Sequence, residues 1–203
     1  MADPVVYLID DDASVRDALG GMLGYSGYRT RLFADAESFL EALEDDWVGC
    51  VVADLRLPGM SGIALQRRLA EQERRIPVVI ITAHGDVPTA RQALRAEAVD
   101  FIEKPFEDAE LREAIDKAFS MEERRISLER TQRAHARKLA ALTPREREVL
   151  ELAATGLHAK QIAAALGISN RTVEIHKQHI MDKLNLRNVA ELVRFALGPE
   201  TRS

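Results

Sequence analysis

Short apolar runs alternate with segments of helical period along the first 120 residues. "VVYLID" (5–10), "YRTRLF" (28–33), "GCVVAD" (49–54), "PVVIIT" (77–82) and "VDFIE" (99–103) read as β-strands, rich in Val and Ile. Between them "ASVRDALGGML" (13–23), "AESFLEALED" (36–45), "GIALQRRLAEQ" (62–72) and "VPTARQALRA" (87–96) place apolar residues three and four apart, and a fifth helix starts near Glu107. That spacing predicts amphipathic helices. Strands alternating with helices predict right-handed crossovers and a parallel sheet covered on both faces. The near-unbroken apolar runs of the first, third and fourth strands suit central positions, whereas "YRTRLF" alternates like an edge. Five such units make an α/β doubly wound, five-stranded parallel sheet whose crevice lies at the carboxyl ends of the strands.

No Gly or Pro interrupts the chain from Glu107 to about Ala141. The apolar stripe of that stretch (Leu111, Ile115, Phe119) thins after Ile126, so a solvated connector helix is expected rather than a sustained coiled coil. "LTPREREVLELAATG" then carries Thr143 as an N-cap, Pro144 at the first helical position and Glu146 completing a capping box. Gly156 ends that helix and Gly167 ends the next, "HAKQIAAALG". "SNRTVEIHKQHIMDKL", capped by Ser169, and "NVAELVRFAL" complete a small all-α unit with a helix-turn-helix at "LGIS". The predicted division is 1–120, a linker helix over 121–141, and 142–203.

Charge sharpens that division. Residues 1–120 carry 13 Lys and Arg against 23 Asp and Glu, and residues 121–203 carry 15 against 10. An acidic half joined to a basic half predicts different partners, a polyanion for the second. No apolar run approaches the length of a membrane span, and "MADPVVYLID" lacks the basic and long apolar regions of a signal peptide, so no export is expected. Cys50 is the single cysteine, which excludes an intrachain disulfide and favours a reducing cytoplasm. In "GCVVAD" it is expected to be a small buried hydrophobe.

Three consecutive carboxylates, Asp10, Asp11 and Asp12, close the first strand. Asp12 suits a helix cap. Like charges so close repel unless a cation sits among them. Asp54 ends the third strand beside them, Thr82 followed by the small Ala83 ends the fourth, and Lys104-Pro105 follows the fifth. Three carboxylates, a hydroxyl and an ammonium at neighbouring strand ends describe phosphoryl transfer to a carboxylate. Asp54 is the expected nucleophile, forming an acyl phosphate. Asp10 and Asp11 are expected to hold Mg²⁺, which offsets their repulsion and the charge of the incoming phosphoryl group. Lys104 pairs with Asp54 and then with a phosphoryl oxygen, and Thr82 donates to another. Arg56 and His84, each two residues beyond a site residue, are expected to flank the phosphoryl group or to lie on a solvated face.

With Asp10, Asp11, Asp54, Thr82, Phe101 and Lys104-Pro105 in these positions, the first 120 residues resemble the receiver domain of two-component response regulators. "HGDVPTARQALRAEAVDFIEKPF" looks most like the FixJ-type subgroup. The resemblance implies a flavodoxin-like fold, a cis Lys104–Pro105 bond, Thr82 and Phe101 as a switch pair, and a metal ligand from the backbone carbonyl of Arg56. It also implies an output face made by the helix over 87–96, the fifth strand and the fifth helix. Residues 142–200 resemble the LuxR/NarL-type DNA-binding domain through "LTPREREVL", "KQIAAALGIS" and "RTVEIHKQHIMDKL". The helix from about Arg171 is expected in the major groove. Lys160, Arg171, Thr172, Lys177 and Lys183 are expected at phosphates, and Glu174, Ile175, His176 and Gln178 at bases or the groove wall.

The expectation is a cytoplasmic transcription factor, phosphorylated by a sensor histidine kinase with Mg²⁺, dimerising, binding double-stranded DNA and meeting RNA polymerase, without a membrane segment. It is not expected to be an enzyme beyond its own phosphorylation and dephosphorylation. Two rivals remain: a Mg²⁺-dependent phosphohydrolase using Asp54, for which no insertion supplies a cap, and a phosphorylation-independent DNA-binding regulator.

Overall fold

All five expected strands form, and hydrogen bonds join them in one direction. The computed structural model describes residues 4–83 and 98–198; the helix expected over 87–96 and His84 lie outside them. The strands are β1 (Val5–Ile9), β2 (Arg29–Phe33), β3 (Gly49–Asp54), β4 (Val78–Thr82) and β5 (Asp100–Glu103), parallel in the order β2-β1-β3-β4-β5. β3 and β4 are buried along their whole length, and the alternating β2 takes an edge, as the patterns predict.

Strand alternation sends side chains to two cores. Tyr7, Ile9, Val51, Ala53 and Ile80 face one side, packing with Phe39 of α2 (Ala36–Ala42) and Leu65 of α3 (Gly62–Glu71). Val6, Leu8, Cys50, Val52, Val79 and Ile81 face the other, with Leu23 of α1 (Ala13–Tyr25) and Leu111 and Ile115 of α4 (Asp108–Ala140). Each fully buried Leu, Ile or Val contributes about 1.5–3 kcal/mol against chain entropy. Cys50 is wholly buried, and burial pushes its thiol far above the ordinary value. Asp12, Asp35 and Ser61 cap α1, α2 and α3 by accepting from first-turn N–H groups.

The chain divides into two compact units, Met1–Arg125 and Ile126–Ser203. The second has its own core, with Val149 and Leu150 of α5 (Pro144–Ala154), Ile162 of α6 (Ala159–Leu166), Val173 and Ile180 of α7 (Asn170–Leu184) and Leu192 of α8 (Val189–Ala196). Thr143 and Glu146 close the capping box. Gly167 ends α6 at φ 65°, a left-handed position that glycine takes without a Cβ penalty, and Ser169 caps α7 two residues later.

Candidate functional site

Parallel register sets the ends of β1, β3, β4 and β5 beside one another. Asp54 pairs with Ile81 and Thr82 with Glu103, so Asp10, Asp54, Thr82 and Lys104 converge at one edge. Gly62 lets α3 start beneath this edge, since a Cβ there would come within 2.6 Å of the Asp54 carbonyl oxygen. The Lys104–Pro105 peptide is cis.

Lys104 Nζ donates to Asp10 Oδ2 at 2.8 Å and to Asp54 Oδ2 at 2.7 Å. Asp10 and Asp54 are 1% and 8% exposed, so these are charge-assisted bonds screened little by solvent. Burial pushes the Lys104 ammonium down, but its bonds to Asp10 and Asp54 and their charge outweigh burial and hold it above the ordinary lysine value. The other two oxygens are also engaged, Asp10 Oδ1 by Asp12 N–H at 3.0 Å and Asp54 Oδ1 by Arg56 N–H at 2.8 Å. Two carboxylates on one ammonium leave one negative charge in excess at hard oxygen donors, which fits a divalent cation such as Mg²⁺.

The structure brings two of the three expected acids onto Lys104. Asp11 instead lies exposed at the rim, and among the described residues no three His, Cys, Asp or Glu side chains close to metal-ligand spacing. Thr82 is fully buried. Phe101 pairs with Ile80, two residues from Thr82 on β4, so it shares a sheet face with Thr82 and packs at the edge of the first core. The Arg56 side chain is exposed, and its contribution to the site is its N–H. Arg16, which sequence reasoning passed over, donates from Nη1 to the carbonyl oxygens of Asp10 and Asp11 at 2.6 and 3.0 Å.

In the second unit α7 carries an exposed stripe. Arg171, Glu174, Ile175 (45% exposed) and Gln178 lie on it, together with His179, which the sequence reading missed although its spacing from Arg171 and Ile175 marks the same face. Thr172 is half-buried with its hydroxyl on Ser169, Gln178 donates to Asp182, and Lys160 is exposed on α6. His176 is half-buried, with Nδ1 enclosed and without a partner among the described residues.

Two lysines expected at phosphates have partners within the second unit. Lys177 is 7% exposed because it continues the Val173, Ile180, Leu184 core stripe; its stem packs inward and its ammonium reaches Glu174 at 3.4 Å. Lys183 donates to Glu146 Oε2 at 2.6 Å, the same oxygen that accepts Thr143 N–H in the capping box. Next to Glu146, Arg145 donates to the carbonyl of Leu166 at the end of α6. Adjacent residues at the start of α5 thereby tie down the ends of both helices of the helix-turn-helix.

Burial of Glu146 raises its pKa, but the bonds from Lys183 and Thr143 outweigh it and hold the carboxyl below its ordinary 4.5. A depressed folded value stabilises the unit above the unfolded value and is lost as pH falls through the folded one. Glu146→Gln keeps a capping box but loses the ion pair, so it should cost about 1 kcal/mol at neutral pH, discounted because Lys183 is partly exposed. Urea unfolding against pH checks this: the gap to the parent should be full above pH 4.5 and close in acid below it. A gap independent of pH would refute the ionic origin.

Comparison with known proteins supplies two family matches. Residues 6–116 match the response regulator receiver domain, and residues 140–196 match the bacterial regulatory proteins of the luxR family. The transcriptional regulatory protein FixJ of Bradyrhizobium diazoefficiens is 43% identical over 192 residues, covering 95% of this chain and 94% of that protein. FixJ of Rhizobium meliloti is 42% identical over 199 residues, covering 98% and 97%. Among solved structures, the response regulator StyR superposes with a TM-score of 0.86 at 42% identity, covering 97% of this chain and 99% of that one.

Proposed function

The chain belongs to the two-component response regulators, with a receiver domain and a LuxR-type DNA-binding domain through which it regulates transcription, and on that premise we propose that Asp54 is its phosphoryl acceptor. The observation that carries the proposal is the single Lys104 ammonium bonded to both Asp10 and Asp54 at the strand ends. A receiver implies a histidine kinase as partner, and a LuxR-family domain implies DNA.

The step we propose is in-line transfer. Asp54 Oδ2 attacks the phosphorus of the kinase phosphohistidine; a P–O bond forms, the P–N bond breaks, and the imidazole leaves with its electron pair and takes a proton. The phosphoryl group brings about two negative charges to a site that already holds one in excess. Receiver domains generally use Mg²⁺ for this chemistry, and bound at Asp10 and Asp54, with Asp11 at the rim and the Arg56 carbonyl, it would supply charge neutralisation. Lys104 then follows the charge from Asp54 to a phosphoryl oxygen, Thr82 donates its hydroxyl to another, and Phe101 takes the space Thr82 leaves on the shared face. Arg56 N–H keeps the acceptor carboxylate oriented throughout.

The working division is a receiver over 1–120, a linker helix over 121–141 and an output domain over 142–203. Phosphorylation favours a dimer that sets two output domains on neighbouring half-sites, where Arg171, Glu174, Ile175, Gln178 and Lys160 meet DNA and RNA polymerase is recruited. Among the described residues no helix is long and apolar enough to cross a membrane, and we place the protein in the cytoplasm.

The test couples both ends. Duplexes selected from a randomised library are bound at several salt concentrations with and without beryllofluoride and Mg²⁺, alongside sedimentation. Affinity is expected to rise about tenfold or more with a shift to dimer, because pairing makes the second contact intramolecular. A monomer at micromolar concentration with unchanged affinity would refute the coupling.

A further inference from the structure

The acidic run 10–12 has almost no freedom left in its backbone. Asp10 Oδ1 accepts Asp12 N–H at 3.0 Å, and Asp12 Oδ1 accepts Ser14 and Val15 N–H at 2.8 and 3.3 Å. The two peptide oxygens between them, those of Asp10 and Asp11, are held by one nitrogen of Arg16. Arg16 is half-buried on the first turn of α1, where its own N–H donates to Asp12 O at 3.0 Å. The guanidinium thus turns both carbonyls to one side of the loop while the Asp10 carboxylate is drawn to Lys104.

We infer that Arg16 is a positioning residue for cation binding, holding the Asp10–Asp11 backbone in the shape that presents the acids; the inference rests on the reading of Asp10 and Asp54 as the cation and phosphoryl site. Two effects of Arg16 oppose each other. Its positive charge repels an arriving cation, so charge alone predicts that removing it tightens Mg²⁺ binding. Its two hydrogen bonds fix the Asp10 and Asp11 carbonyls, so their loss loosens the main chain that carries the acids and weakens Mg²⁺ binding. Two bonds from one charged donor to main-chain carbonyls, one of them part-buried, outweigh a half-exposed charge in water, and the pre-organising effect wins. The sign of the change in affinity therefore separates the two roles.

The experiment uses the full chain and its Arg16→Met and Arg16→Lys variants, with amide NMR as the readout. Without metal, hydrogen exchange at Asp12, Ser14 and Val15 is expected to quicken about tenfold in Arg16→Met, while the amides of Val51 in β3 and of Leu55 just after it keep their protection. In a Mg²⁺ titration followed at Asp10, Asp11 and Asp54, the dissociation constant is expected to rise about fivefold in Arg16→Met, with Arg16→Lys between it and the parent. Equal or tighter Mg²⁺ binding by Arg16→Met overturns the inference whatever exchange does. Should that variant fail to fold, Arg16→Lys decides in the same way, a rise of about twofold supporting the inference and no rise overturning it. A parent that shows no Mg²⁺-dependent shift at Asp10 and Asp54 instead removes the site reading, and the inference with it.

Discussion

Asp54→Asn is expected to reduce labelling by acetyl phosphate with Mg²⁺ to background while the first unit stays folded. An amide nitrogen cannot form the acyl phosphate, and neither Asp10 nor Asp11 stands at the end of a wholly buried central strand as Asp54 does. Both oxygens of Asp54 accept, one from Lys104 and one from Arg56 N–H. Whichever way the Asn amide turns, its NH₂ faces one of these donors, at a cost of about 1–3 kcal/mol. That is a modest fall in the unfolding midpoint without loss of the fold. Labelling and a melt on the same sample check both halves. Undiminished labelling of the Asn variant would place the acceptor elsewhere.

A larger loss of stability is expected from Gly49→Ala, at the start of β3. Gly49 pairs with Val5 at φ 149°, and a Cβ would sit 1.9 Å from the Val5 carbonyl oxygen and 2.8 Å from Val5 N. Both contacts are backbone of the adjoining central strand, so relief needs β1 and β3 to part. Overpacking of ordinary cores costs about 1–3 kcal/mol and more when the obstacle cannot rotate away, and the backbone angle adds strain. The expected loss is about 3 kcal/mol or more, confined to the first unit. Trp47, the single tryptophan, reports it directly because it stacks on Tyr7 at 4.7 Å beside this junction. Denaturant unfolding followed by its fluorescence should show an early transition, and a calorimetric trace should retain the transition of the second unit. An unchanged tryptophan midpoint would refute the account.

The sequence by itself determined the strands, the edge position of β2, the caps at Asp12, Thr143 and Ser169, and the grouping of Asp10, Asp54, Thr82 and Lys104. These follow from short-range causes: alternation on a pleat, a cap oxygen two or three residues from its N–H, and parallel strands that share one carboxyl edge. The core stripe of α7 was equally legible, and Lys177 falls in its register, a lysine stem packing while its head snorkels. Only the tertiary structure decided which partner each long polar side chain found. Lys104 meets Asp10 across 94 residues, Lys183 meets Glu146 across 37, and Arg16 spends its donors on main-chain oxygens that no side-chain pattern reveals. The two lysine pairings depend on the separation of elements brought together by folding, within a few tenths of an ångström, and that distance is set by packing rather than by local sequence.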